Sequence, residues 1–271
     1  MGRYFRFENG VESIQQLPSH LLADGDRVSP RGIDTHEFRD VLIEVDDPTN
    51  VTMLDIGRNW SSRIAVAEFL QLVGGFSEPE VMTNIAPFFN TVLNGGVFHG
   101  AYGPRIGMQM PRVIERLRTD DATRQAVSVI WDPLHDLMQE DRLDLPCTVD
   151  MVFALRNKKL LMSTHMRSND VWKGWCYDLF QFAQMQCTVA NILHVDPGPY
   201  THFTNSLHLY ADDADLALAV TSGPKPQPRL SGLMVQSWAA AQRVALDVWE
   251  GKVEDPTVTE DWMMEVAKGW R

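Results

Sequence analysis

Apolar and polar positions along HEFRDVLIEVDDP (36–48) alternate with the period of two expected of a half-buried strand. SSRIAVAEFLQLVGG (61–75) changes to a helical period, with a Ser to cap its start and a Gly pair to stop it. PRVIERLRTDDATRQ (111–125) predicts a second amphipathic helix, with Ile114 and Leu117 on its inner stripe. QAVSVIWDP (125–133) reads as a short buried strand ended by Asp-Pro. CYDLFQFAQMQCTVANILH (176–194) is apolar on most sides and predicts a helix running through the core, and SGLMVQSWAAAQRVALDVWEG (231–251) predicts a late amphipathic one. HFTNSLHLYADD (202–213) begins as a strand and ends in a polar turn, and SGPKPQPRLSG (222–232) reads as a surface loop. Strands and helices interleave without a strict βαβ rhythm. The expected fold is α+β, one mixed sheet packed by helices on one side, in a single domain over residues 1–271.

Composition changes this picture little. The chain has 271 residues, 44% hydrophobic and 22% charged, enough to bury a large core. No apolar run approaches the roughly 18 residues of a membrane span. MGRYFRFENGVES lacks the apolar core of an export signal, so the expected location is the cytoplasm. Three cysteines without CxxC spacing, and histidines without HExxH or HxH spacing, predict no disulfide framework and no metal. A formal net charge of −12 provides no long-range attraction to nucleic acid or anionic membranes. Any phosphate must be held by a few local arginines.

Chemistry concentrates around LPCTVDMVFALRNKKLLMSTHMRSND (145–170). Two β-rich runs flank Asn157 and Lys158, which predicts a tight hairpin. A turn centred there pairs Thr148 with Arg167 and Cys147 with Ser168. Directly opposed residues lie about 4.5–5.5 Å apart at Cβ. A cation so placed lowers a thiol's pKa and favours the nucleophilic thiolate. The same residues also fit a buried structural cysteine, and a one-residue slip would turn them to opposite faces.

LPCTV, MRSNDVWKGWCYD and SLHLY, in this order and spacing, resemble the thymidylate synthase superfamily, the folate-dependent methylases and hydroxymethylases of pyrimidine nucleotides. The likeness is clearest from Arg124 to Tyr210. It implies a homodimer with the sheet at the dimer interface, a pyrimidine nucleoside monophosphate as substrate and 5,10-methylenetetrahydrofolate as carbon donor, with no nucleic-acid or membrane partner. Cys147 matches the family nucleophile and Glu68 the catalytic Glu. Arg167 and Ser168 match the phosphate grip, with Arg167 also tuning the nucleophile. Arg31 resembles an early phosphate-binding Arg, and Arg124 matches one that reaches the partner subunit's phosphate. His208 and Tyr210 match the pair on the sugar 3′-hydroxyl. Asp170 matches the pterin contact, Tyr102 resembles the Tyr of a VYG segment, and Trp175 is a candidate for the ligand wall.

Departures from the synthase pattern carry the specificity argument. Asp178 stands where the family reads uracil with Asn; an ionised Asp accepts from the cytosine amino group and a protonated N3, a protonated Asp donates to an unprotonated N3, and a carboxylate repels uracil O4. The same Asp fits a helix-start cap. Phe88 or Phe89 replaces a shielding Trp, Thr148 replaces the His after the nucleophile, and Gln125 replaces a second phosphate-binding Arg. WMMEVAKGWR does not resemble the tail that closes over folate. Together these point to 5-hydroxymethylation of CMP or dCMP, with water trapping a C5 methylene. The alternatives are reductive methylation of dUMP or dCMP, and an inactive nucleotide- or RNA-binding relative.

Overall fold

The structure is a computed structural model that describes residues 2–138, 144–220, 227–252, 261–268 and 270. Eight strands form one mixed sheet: β1 (Arg3–Phe7), β2 (Asp26–Val28), β3 (Thr35–Val45), β4 (Val127–Val129), β5 (Thr148–Arg156), β6 (Lys159–Met166), β7 (Asn169–Asp170) and β8 (Asp196–Tyr210). The main path runs β1-β3-β8-β6-β5-β4, with β2 on β3 and β7 on β8. β1 pairs parallel with β3, as β6 does with β8, and the other pairs on the main path are antiparallel. The expected α+β architecture is therefore present. Five longer helices pack it: α1 (Gly10–Asp24), α2 (Ser62–Gly74), α3 (Met110–Thr119), α4 (Trp175–Leu193) and α5 (Trp238–Trp249). α1 and α4 lie on the sheet, and α2 packs across α4 and α5. No described helix is long and apolar enough to cross a membrane.

Local chemistry explains the best-predicted elements. Ser61 caps α2 by accepting from the Ile64 N–H, and Gly75, at φ 79°, ends it in the left-handed conformation. Asn157 and Lys158 both take positive φ, 52° and 60°, which makes the tight turn of the β5–β6 hairpin.

Four expectations need correction. The second helix stops at Thr119, because Asp120 leaves helical geometry and its side chain accepts from the Ala122 N–H. β8 begins at Asp196, through Pro197, Gly198 and Pro199, residues that argue against a strand. There the β6 register shifts, and buried Gln186 donates to the carbonyls of Leu160 and Gly198, both at 2.8 Å. The last long helix starts at Trp238, because residues 231–233 run along α4, held by Gln184, Thr188 and Asn191. Finally, the stretch read as a surface loop is stitched to residues 49–54 from Gln227 onward, and residues 222–226 lie outside the described residues.

One buried ion pair fixes the loop that enters the site. Arg105 makes a two-pronged bridge to Asp136, at 2.5 and 2.7 Å, and donates to the carbonyls of His99 and Ile130. Burial alone would raise the Asp136 carboxyl; its bonds from Arg105 outweigh this and hold it below the usual carboxylate range. Asp136→Ala leaves a mostly buried guanidinium unpaired and is expected to destabilise the fold by about 3–5 kcal/mol in denaturant unfolding. An unchanged midpoint would show that the pair does not hold the loop.

Candidate active site

Cys147 sits immediately before β5. The hairpin keeps the predicted register from Arg156↔Lys159 to Asp150↔His165, then shifts by one. Thr148 pairs with Met166, and the Arg167 N–H donates to the Cys147 carbonyl at 2.8 Å. Val149 is the extra residue, and its carbonyl accepts from both Ile130 and Trp131. Cys147 is thus opposite Arg167, and the expected pairing with Ser168 is replaced by a β-bulge.

The Arg167 guanidinium folds back onto the same loop, donating to Pro146 O at 3.0 Å and Leu145 O at 3.2 Å. Two of its five N–H groups are used in this way. The expected lowering of the thiol pKa is not the net result. Burial pushes Cys147 up; Arg167 and Arg31 pull it down, and Asp178 and Asp144 oppose them. Cys176 and Cys187 are buried and pushed up to about 12.

A cavity of about 170 Å³ is lined by Glu68 of α2, Tyr102, Asp144, Asp178 of α4, and Phe89 and Phe98; Cys147 is not in the lining, but the charges of Asp144 and Asp178 reach its thiol. Tyr102 stacks on Phe182 at 6.2 Å. Phe89 is the aromatic that faces the cavity; Phe88 is 66% exposed. Asp178 is not the helix cap. It stands in the first turn of α4, and its two oxygens accept from Asn169 Nδ2 at 2.8 Å and Gln181 Nε2 at 3.1 Å. Burial raises its carboxyl to about 7 despite these two bonds. Burial, and then the charge of Asp178, raises Glu68 to about 8.

The other sequence candidates divide into three groups. Arg31 is exposed, with φ 55°, and its charge is felt at Cys147; Ser168 follows Arg167 on the same chain segment. Asp170, His208 and Tyr210 gather where β7 meets β8: Asp170 pairs with His208, whose ring meets Tyr210 edge-on at 5.3 Å. One Asp170 oxygen already accepts from the N–H groups of Trp172 and Lys173. Of the sequence candidates, Glu68, Tyr102 and Asp178 line the cavity itself, and two others stand apart from the site. Arg124 is exposed before β4 and is not among the main charges acting on Cys147. Trp175 is 0% exposed, donates to Ser13 Oγ at 2.8 Å and packs in the core, so the structure removes it from the ligand wall.

Sequence reasoning missed Asn169, Gln181 and Asp144. Gln181 was within reach, lying three residues after Asp178 on one helix face. Asn169 and Asp144 depend on tertiary folding and leave no local pattern.

The thymidylate synthase family model matches residues 99–255. This chain belongs to the thymidylate synthase family. It is 35% identical over 220 residues to the deoxyuridylate hydroxymethyltransferase of Bacillus phage SP01, covering 75% of this chain and 57% of that protein. Against the deoxyuridylate hydroxymethyltransferase of Pseudomonas phage M6 it is 28% identical over 195 residues, covering 64% and 55%. Against a putative thymidylate synthase of Methanothermobacter marburgensis it is 30% identical over 218 residues, covering 75% and 93%. The chain thus spans little more than half the length of the two phage relatives.

The raised carboxyls carry a stability consequence. The folded chain keeps protons on Glu68 and Asp178 that the unfolded chain has released above ordinary carboxylate pKa values. Stability from this source is therefore present at low pH and lost as pH rises towards about 8. Glu68→Gln removes the penalty, so its melting temperature should exceed that of the unmodified chain at alkaline pH, with the gain fading at acidic pH. A pH-independent difference would show that Glu68 titrates in its ordinary range.

Proposed function

We propose that this chain transfers a one-carbon unit from 5,10-methylenetetrahydrofolate to C5 of a cytidine monophosphate, CMP or dCMP, and releases the 5-hydroxymethyl nucleotide. The observation that carries the base assignment is Asp178, held at the cavity wall with an amide donor on each oxygen. Burial raises the carboxyl to about 7, and the two donors work against it, favouring the ionised form, which is an acceptor. Cytosine offers it two donors, the 4-amino group and a protonated N3. Uracil offers O4, an acceptor that meets the carboxylate with repulsion. A second reading, 5-hydroxymethylation of dUMP, is favoured by the two phage relatives, which are deoxyuridylate hydroxymethyltransferases. A protonated Asp178 would suit it, since one oxygen then donates to O4 and the other accepts from N3–H.

In this reading the Cys147 thiol releases its proton to solvent and Sγ adds to C6, which makes C5 the carbon nucleophile that attacks the folate methylene. Glu68, raised to about 8, carries a proton at neutral pH and passes it to the base as the thiolate adds. C5 then loses its proton, tetrahydrofolate leaves, and water adds to the exocyclic methylene. Arg31, Arg167 and Ser168 hold the phosphate, His208 and Tyr210 the sugar, and Asp170 and Tyr102 face the folate. The Phe89 and Phe98 rings provide an apolar wall suited to a pterin.

We extend the reading to a homodimer in which Arg124 reaches the partner's phosphate. Its support is the sheet face carrying exposed Leu42 and Val152 with the polar line Asp150, His165, Asn205 and Asp40.

C5 tritium release from CMP, dCMP and dUMP with methylenetetrahydrofolate tests the base assignment. Cytosine nucleotides should lead, and their advantage in kcat/KM should grow as pH rises through about 7. Asp178→Asn should shift the ratio towards uracil by about 100-fold or more and flatten its pH dependence. Unchanged relative kcat/KM in the variant would remove Asp178 from base reading.

A further inference from the structure

Three carboxyl groups line the cavity, and the reaction above uses two of them. Glu68 serves proton transfer to the base, and Asp178 reads its edge. The third, Asp144, has no part in that scheme and corresponds to none of the matched motifs. It lies three residues before Cys147, in the loop entering β5, on the same cavity as the aromatic wall of Phe89 and Phe98.

Its anchoring is local and one-sided. Asp144 Oδ2 accepts from the Gly100 N–H at 2.8 Å, the one hydrogen bond to its side chain among the described residues. A Cβ on Gly100 would stand 2.6 Å from Oδ1, so only glycine lets the carboxylate approach this closely. The charged and titratable groups that act on it are Arg105 and His99, which favour its charge, and Asp136, which opposes it. Burial wins and raises the carboxyl, and its charge reaches the Cys147 thiol. A carboxyl with these properties is a proton acceptor placed on the cavity wall beside the Phe89 and Phe98 rings.

We propose that Asp144 positions the water that traps the C5 methylene and accepts its proton. The inference rests on the proposed reaction, because it requires the methylene to form. The water oxygen bonds to the exocyclic carbon as one water proton passes to Asp144. The C5–methylene electron pair moves into the ring towards C4. It returns to make the C5–C6 double bond as the C6–Sγ bond breaks and the thiolate of Cys147 leaves. No oxidant or reductant is consumed. Asp144 thereby directs the intermediate to a hydroxymethyl product.

Asp144→Asn keeps an oxygen for the Gly100 N–H and removes the proton acceptor. The full chain and this variant are compared with C5-tritiated CMP, dCMP and dUMP, with methylenetetrahydrofolate, and with and without 2-mercaptoethanol as a competing trap. Tritium release reports methylene formation, and product analysis reports its fate. In the variant, hydroxymethyl product per tritium released should fall about 100-fold, with the thiol adduct rising in its place. Asp144→Glu, which keeps a carboxyl, should restore much of the ratio. An unchanged ratio, or tritium release and product falling in parallel, overturns the assignment and leaves Asp144 as a support for Gly100. Asp144→Ser is read by the same criteria if the Asn variant does not fold. Absence of tritium release from every nucleotide by the unmodified chain overturns the proposed reaction, and the role of Asp144 falls with it.

Discussion

A 19-residue helix, α4, lies inside this protein with polar side chains that cannot reach water. Each buried amide or hydroxyl must find a hydrogen-bond partner or weaken the fold by roughly 1–3 kcal/mol. The partners fall in three places. Gln186 takes strand carbonyls where two prolines interrupt the ladder. Gln184, Thr188 and Asn191 bind the backbone of residues 231–233. Gln181, with Asn169 from β7, holds the Asp178 carboxylate. The helix that supports the sheet therefore also supports the Asp178 carboxyl on the cavity wall, and the two duties share one hydrogen-bonding requirement.

Charge is sorted by depth around Cys147. Arg31 and Arg167 are exposed, whereas Glu68, Asp144 and Asp178 line the cavity. Cys147 lies between and feels both sets. Such an arrangement suits a ligand with an anionic end held in solvent and a neutral, hydrogen-bonding end held within. It also explains why the resting thiol stays protonated: the interior acids and burial together exceed the rim cations.

Where the signal was local, the sequence was legible. The α2 cap and stop, the type of turn at Asn157–Lys158 and the extent of α4 were readable from residues a few positions apart. Motif spacing reached further, bringing Glu68, Tyr102, Cys147 and Asp178 to one place although they lie on four segments. Failures came where a distant side chain replaced a backbone partner. Pro197 and Pro199 forbid a strand by any local rule, and Gln186 overrides it. Trp175 was drawn towards the ligand by its neighbours in sequence, yet its helix position turns it to Ser13. The thiol pKa was misjudged because one cation was visible in the sequence and burial was not.

The bulge at Val149 divides the hairpin into two parts with different tolerance for change in length. From Asp150 to the turn, strands β5 and β6 pair residue for residue, so matched additions at the tip would lengthen the ladder and leave everything below it in place. Between Cys147 and Asp150 the count itself is the information. A regular ladder through the same residues would set Thr148 opposite Arg167 and Cys147 opposite Ser168, and so carry Cys147 away from Arg167 without altering a single side chain. The site is thus encoded partly as chemistry and partly as arithmetic, by one residue that has no partner across the strand.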